Sequence, residues 1–147
     1  RVEIFAVKNG YQAGVCRTAS VGEPADLPNR IYNHLVECKR IVRDTVKPNQ
    51  PASAVYAAYR NHFDKLSMPP IAFVGHSIGV NLHEPPYLGA HSTDVIEEAM
   101  VLGIEPLVYR TGHGFGMQIK DMLLVTGSGN VLLSDATDTD SMTIIAA

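Results

Sequence analysis

Residues 75–86 read GHSIGVNLHEPP, and this stretch decides how the fold of the chain is interpreted. It places His76 and His83 seven positions apart, directly after the apolar run 71–74, which is typical of a strand. In an unbroken strand, side chains an odd number of positions apart point to opposite faces. Glycines within the stretch allow a turn or bulge that would bring both histidines to one pocket. The alternative interpretation is two unrelated loop histidines.

Other short blocks stand out along the chain: GYQAGVCRT at 10–18, VGEP at 21–24, MVLGIEP at 100–106 and GMQIKD at 116–121. Together with residues 75–86 they resemble, in the same order, the motifs of the creatinase/aminopeptidase "pita-bread" family, which are GYxSDxTRT, VGEP, GHGIG…HExP, GMxxTIEP and GxRIED. The family includes methionine aminopeptidases, prolidases, aminopeptidases P and creatinase. Because the blocks are collinear and span nearly the whole chain, the resemblance is specific.

The resemblance implies an α+β fold, a truncated pita-bread domain in which a curved antiparallel sheet carries helices on one face. Complete domains of the family are appreciably longer than this chain of 147 residues. We therefore expect a single partial domain over 1–147, made of the second half plus the hairpin that carries the first metal carboxylates. Residues 135–141 are acidic and polar, which predicts a flexible tail over 135–147.

Two stretches show the period of an amphipathic helix. Apolar positions recur every three or four residues in 28–46, and His34 lies beside this stripe, where a structural or exposed histidine is expected. Residues 53–66 have the same period, with His62 or Phe63 facing inward. Both helices are interpreted as scaffold. Strands are predicted at 2–7, 11–19, 101–104, 117–126 and 131–134.

Composition and charge exclude several kinds of partner. The formal net charge is −3 and no lysine or arginine cluster is present, whereas a nucleic-acid-binding surface needs a basic face. No apolar run reaches the ~20 residues that span a bilayer, so no membrane partner is expected. The two cysteines, Cys16 and Cys38, form no CxxC motif and are expected to pack as reduced thiols, which predicts a cytoplasmic protein.

The resemblance also implies a metal centre, because the related metallopeptidases hold two divalent ions with two Asp, one His and two Glu. Matched motif by motif, the five positions here are Glu3, Gly14, His76, Glu105 and Lys120. The two that differ in kind, Gly14 and Lys120, stand at the bridging positions. Four carboxylates would offer a charge of −4 to the two ions, whereas the residues present offer about −1, and a protonated ammonium cannot be a ligand.

A metal-free site is therefore expected, with no cofactor. The ammonium of Lys120 would stand where metal would be and neutralise Glu3 and Glu105, since unpaired buried carboxylates are costly. It should then lie within ~4 Å of one of these carboxylates. The alternative is one weakly held divalent ion (Mn, Co, Fe or Zn) at the vestigial positions Glu3, His76 and Glu105, because three protein ligands suffice for a catalytic ion.

The candidate catalytic residues share a position in the family motifs: His76, His83, Glu105 and Lys120. By resemblance, His83 contacts substrate and helps to stabilise charge that develops during hydrolysis, while a structural loop histidine is the alternative. Three other residues lie in irregular or glycine-rich segments that could form a pocket rim and are predicted to bind substrate: Tyr87, His91 and His113.

Three classes of function remain open. The first is a metal-independent enzyme that acts on a small polar molecule or its C–N bond by His/Glu acid–base chemistry. The second is an Xaa-Pro-type metallopeptidase with a single ion. The third is a catalytically dead pseudoenzyme, a binding module or a recruited biosynthetic enzyme.

The expected partners are a small-molecule or short-peptide substrate and a second protein surface. A half-sheet would expose an apolar edge or face, which soluble monomers avoid. The sequence therefore predicts either a homodimer or another chain that carries the N-terminal half.

Overall fold

A computed structural model describes residues 1–136 and 138–146 of the chain. Within these residues three strands precede two consecutive α helices and eight strands follow them: β1 Val2–Lys8, β2 Tyr11–Arg17, β3 Ala19–Val21, α1 Asp26–Thr45, α2 Ala52–Phe63, β4 Phe73–Ser77, β5 Glu84–Gly89, β6 Val101–Ile104, β7 Leu107–Val108, β8 Met117–Gln118, β9 Asp121–Thr126, β10 Gly129–Leu132 and β11 Thr143–Ile145.

Both helices form where the apolar period predicts them. Helix α1 begins two residues earlier than expected, which places Pro28 in its first turn, where a missing N–H costs no hydrogen bond. Helix α2 ends at Phe63, and the last predicted residues, Asp64–Leu66, continue as a 3₁₀ turn. Helix ends commonly tighten in this way.

Five strands form one antiparallel sheet in the order β10-β9-β6-β4-β5. The predicted strand 117–126 is divided into β8 and β9, because Lys120 pairs elsewhere. Its backbone N–H donates to the carbonyl of Cys16 in β2, and the N–H of Cys16 donates to the carbonyl of Lys120, both at 3.1 Å. These two bonds attach the β1–β2 hairpin to the sheet beside the interruption.

The core lies between the helices and one face of the sheet. Buried apolar side chains from both layers meet there: Ile31, Tyr32, Leu35, Val42, Val55, Tyr59, Phe63, Leu102, Ile104 and Leu123. Along β6, Leu102 and Ile104 point to this core, whereas Gly103 between them belongs to the opposite face. The predicted α+β arrangement, an antiparallel sheet with helices on one face, is confirmed.

Parts of the predicted tail contact the domain. Strand β11 pairs in parallel with β3, and Thr139 is buried, with its hydroxyl bonded to Nζ of Lys39. Asp140 forms an ion pair with the same lysine at 2.9 Å. Residues 137 and 147, which the predicted tail includes, lie outside the described residues.

Across the described residues, neither helix combines the length and the apolar character that crossing a membrane requires.

Candidate active site

Asp121 is the first residue of β9 and Lys120 directly precedes it, and their side chains point to opposite faces of the sheet, as alternation requires. The side chain of Lys120 is only 1% exposed and extends over the face without helices. Asp121 points to the helix side, where its carboxylate lies 2.9 Å from Arg17 and 4.0 Å from Lys39. The two neighbouring charges are thus neutralised by different partners.

The ammonium of Lys120 lies at the centre of the candidate site. Its Nζ is 3.2 Å from Oε2 of Glu105, 3.5 Å from Oε1 of Glu3 and 3.3 Å from Nε2 of His76. The three donors of the ammonium thus face three acceptors, which offsets the cost of burying the charge. The ring of Phe5 covers the group from a fourth side, 5.4 Å from Nζ.

His76 is completely buried, and both of its ring nitrogens are occupied. Nδ1 lies 2.8 Å from the carbonyl oxygen of Ser77, and because a carbonyl only accepts, Nδ1 carries the proton. Nε2 then has the lone pair that accepts from Lys120. Burial lowers the pKa of His76 to about 4, with the Lys120 ammonium and His83 adding to the effect, so the ring is neutral at pH 7.

Glu105 follows β6 and is held by two donors. Its Oε2 accepts from Nε2 of Gln118 at 3.1 Å and from Lys120. Burial raises the pKa of Glu105, and the positive charge of Lys120 opposes this shift only in part. Oε1 lies 3.6 Å from Nε2 of the neutral His76, so this contact is not an ion pair.

His83 is brought back onto His76 by the loop between β4 and β5. The two rings are stacked, with centroids 3.8 Å apart and planes 17° apart. The odd spacing is overcome because the pairing of β4 with β5 shifts register on both sides of His76. His83 is exposed, whereas His76 beneath it is not, so His83 is the histidine that a ligand can reach.

A cleft of about 310 Å³ opens in front of this cluster. Its wall combines acidic, aromatic and aliphatic side chains: Glu3, Phe5, Ile71, Phe73, His83, Glu105, Leu107, Tyr109 and Gln118. Arg1 lies at the rim, where its guanidinium donates to the hydroxyl of Tyr109 and to Oε1 of Gln118, both at 2.7 Å. Convergent polar groups in an apolar cleft are typical of a small-molecule site.

Two glycines make room for the cluster. A side chain at Gly103 would lie 3.2 Å from Cε of Lys120, so a larger residue there would press on the lysine. A Cβ at Gly14 would lie 2.5 Å from the ring of Phe5, its partner in the β1–β2 pairing. The aromatic ring therefore occupies space that a side chain at position 14 would need.

The three residues predicted to bind substrate lie outside this cleft. Tyr87 and His91 line a separate shallow depression beside β5, although the Tyr87 ring is 6.3 Å from that of His83. His113 is exposed in the turn before β8, near Phe115. Their predicted role in substrate binding stays a prediction.

Sequence reasoning missed six of the nine residues that line the cleft, and three of these, Gln118, Phe5 and Tyr109, contact the Lys120 cluster or Arg1. Gln118 lies two positions before Lys120, and side chains two positions apart in a strand point to the same face. This spacing could have predicted that Gln118 lies beside Lys120. Phe5 follows Glu3 at the same interval, and the pairing of its strand with Gly14 could have shown where its ring lies. No local pattern in the sequence points to Tyr109.

The sheet with helices on one face and the His–Glu cluster on the other define a pita-bread domain. The model of Metallopeptidase family M24 matches residues 1–127, and the chain belongs to this family. An Xaa-Pro dipeptidase of Pyrococcus furiosus is 28% identical over 130 residues, which are 87% of this chain and 37% of that relative. A probable dipeptidase PepE of Mycobacterium tuberculosis is 31% identical over 128 residues, 86% of this chain and 34% of its own length.

Solved structures of dipeptidases and prolidases have the same fold as this chain. The dipeptidase PepE from Mycobacterium ulcerans superposes with a TM-score of 0.90 at 27% identity, covering 99% of this chain and 39% of that one. The prolidase from Pyrococcus furiosus gives a TM-score of 0.86 at 28% identity, covering 92% of this chain and 41% of that one. These likenesses confirm the truncated pita-bread fold, and the chain spans about two fifths of these solved chains.

Proposed function

We propose that this domain hydrolyses a C–N bond of a small polar molecule without a bound metal ion, with His83 and Glu105 as its acid–base groups. One observation carries the proposal, namely that the ammonium of Lys120 lies among His76, Glu105 and Glu3 at 3.2–3.5 Å. These three residues are the ones that match metal-binding positions of the family. The contacts give each of them a partner that is not a metal.

The residues present do not fit the two-ion centre of the family. An ammonium has no lone pair to offer an ion and repels a cation held nearby. The carboxylate expected at Gly14 is replaced by the ring of Phe5, which offers no oxygen ligand. Hard divalent ions need oxygen ligands, and Glu3 and Glu105 already accept from Lys120.

The roles follow from which atoms are free. Of the two histidines expected as the acid–base group, His76 is excluded because both of its ring nitrogens already have hydrogen-bond partners, which leaves His83. His76 instead orients Lys120 and supports the ring of His83, which stacks on it. Water would attack the substrate carbon while Glu105 takes its proton. Protonated His83 would give a proton to the leaving nitrogen as the C–N bond breaks. Such help contributes ~10²–10⁴-fold.

The cleft favours a small substrate with a carboxylate. The guanidinium of Arg1 lies at the rim, where it suits a carboxylate, whereas Glu3 and Glu105 are already neutralised by Lys120. Phe5 and Phe73 add apolar and aromatic surface. Similarity to proteins named Xaa-Pro dipeptidases supports short peptides as the first substrates to test.

The test is a hydrolysis assay on dipeptides, including Xaa-Pro dipeptides, and on small amides and amidines, with and without EDTA. We expect activity that EDTA does not remove and that falls at least ~10²-fold in His83→Ala with unchanged stability. His91→Ala is the matched control, because this exposed histidine lies outside the cleft and should leave the rate unchanged.

Other outcomes decide between the remaining functions. Activity that is lost with EDTA and restored by Mn²⁺ would contradict the proposal and establish the single-ion metallopeptidase. Binding of a compound without turnover, equal in wild type and His83→Ala, would instead identify a binding module or pseudoenzyme.

A further inference from the structure

A second cluster of ligand-forming side chains lies on the helix side of the sheet, away from the cleft. His34 and Cys38 are one turn apart on α1, and His62 is in the last turn of α2. One ligand atom from each lies within 4.8 Å of the other two. Because i and i+4 share a helix face, the first two side chains point together toward the second helix.

Packing alone leaves part of this cluster without an explanation. The two imidazole rings stack with centroids 4.1 Å apart, and Nε2 of His34 lies 2.9 Å from the carbonyl oxygen of His62. That carbonyl only accepts, so Nε2 of His34 is the donor and Nδ1 keeps a lone pair. Nε2 of His62 is buried and has no hydrogen-bond partner within the described residues. A buried polar atom without a partner costs free energy.

The arrangement has features of a metal site before its metal is bound. A ligand histidine usually donates its other N–H to a carbonyl, as His34 does here. Burial lowers the pKa of both His34 and His62, with the charge of Lys65 adding to the effect, so both rings are neutral and able to bind metal. Cys38 is fully buried, which raises the pKa of its thiol to about 12.

We propose that His34, Cys38 and His62 bind one zinc ion that clips α1 to α2. Two imidazoles and one thiolate are a donor set that suits Zn²⁺ and that hard ions such as Mn²⁺ bind poorly. Water would complete a tetrahedral site. Binding would release the thiol proton of Cys38 to solvent, leaving a zinc–thiolate unit with a net charge of +1. The three ligand atoms lie within 4.8 Å of one another and would have to move closer together to coordinate one ion. Rotation of the side chains would bring them together.

The test uses the full chain, stripped of metal with a chelator and then titrated with Zn²⁺ against a chromophoric competitor. We expect one equivalent of zinc to bind and at least ~10-fold weaker binding in His62→Gln. Glu105→Gln is the matched control, because it alters the cleft and leaves this cluster intact. Titration with Co²⁺ should produce the charge-transfer absorption of a cobalt–thiolate bond in wild type.

Zinc should also protect Cys38 from alkylation, read by peptide mass, and raise the melting temperature of wild type but not of His62→Gln. His34→Gln repeats the test should His62→Gln fail to fold. Unchanged zinc affinity in these variants, or cobalt binding without thiolate absorption, would overturn the proposal. Zinc binding lost in Glu105→Gln would place the ion in the cleft and would likewise overturn it.

Discussion

At the scale of single residues, a buried ammonium shared by two carboxylates explains how Lys120 is accommodated at 1% exposure. Glu105 would be costly if it were buried alone, and the lysine would be costly without the two carboxylates. The sequence predicted that Nζ would lie within ~4 Å of one carboxylate, and it lies within this distance of both. This could be foreseen because family motifs fix the positions of Glu3, Glu105 and Lys120 relative to one another.

Removing this charge should destabilise the domain. Lys120→Met leaves the buried Glu105 without a cation and Glu3 with only Arg1, 3.9 Å away, and we expect the free energy of unfolding to fall by about 3 kcal/mol, measured by chemical denaturation at pH 7. Glu105→Gln in the same chain should recover part of the loss. Lys65→Met, at an exposed position, is the control and should change stability little. A Lys120→Met protein as stable as wild type would contradict this account.

The buried His76 should make stability depend on pH. Its pKa is about 4 in the folded chain and about 6.5 for an unperturbed histidine, so between these values the unfolded chain binds more protons. Stability is therefore lost as the pH falls from 6.5 to 4, by about 3 kcal/mol in total. The raised pKa of Glu105 acts in the opposite direction, since the folded chain then holds its proton at higher pH.

The measurement for His76 therefore uses Glu105→Gln as the background. In the Glu105→Gln protein, the free energy of unfolding should decrease as the pH falls from 6.5 to 4. In the double variant that also carries His76→Gln, most of this decrease should be absent. Parallel pH curves for the two proteins would show that His76 does not lose its proton affinity on folding.

Among the secondary-structure elements, the local sequence patterns predicted the two helices but not the division of the predicted strand 117–126. The apolar stripes predicted α1 and α2 to within three residues at each end, because the helix period is a property of the local sequence. The division of 117–126 into two strands depends on the pairing of Lys120 with Cys16, 104 positions earlier in the chain. Such a pairing leaves no local signal.

The β1–β2 hairpin determines whether substitutions could restore binding of the divalent ions that the related metallopeptidases hold. Gly14→Asp together with Lys120→Glu restores two carboxylates, but the new side chain at 14 meets the Phe5 ring. We expect Mn²⁺ binding to be weak in this double variant and stronger when Phe5→Ala is added, measured by calorimetry. Mn²⁺ is the suitable probe because it prefers oxygen ligands and avoids the His/Cys cluster of the helices.

Gly14→Asp alone, with Lys120 retained, is the control and should bind no Mn²⁺, because the ammonium still occupies the site. Tight Mn²⁺ binding by wild type would contradict both this expectation and the proposed metal-free function.

At the scale of the whole molecule, the β1–β2 hairpin and its surroundings expose apolar side chains that a monomer would normally bury. Large apolar side chains are exposed on the hairpin itself and on neighbouring segments: Val2, Ile4, Phe5, Val7, Tyr11, Val80 and Leu133. A hairpin that carries this much apolar surface is typical of an interface. The family motifs in the sequence predicted an exposed apolar edge or face. What covers it stays a proposal, because no pattern within one chain specifies a partner.

We propose that a second copy of the chain covers the hairpin, which predicts a homodimer. Light scattering at micromolar concentration should give twice the chain mass of 15.9 kDa. Ile4→Lys should give a folded monomer, because a charge placed in the centre of an apolar contact is costly to bury. Val21→Lys is the matched control, since this valine is as exposed but belongs to β3, and the dimer should persist. A wild-type chain that remains monomeric with an intact fold would contradict the proposed homodimer.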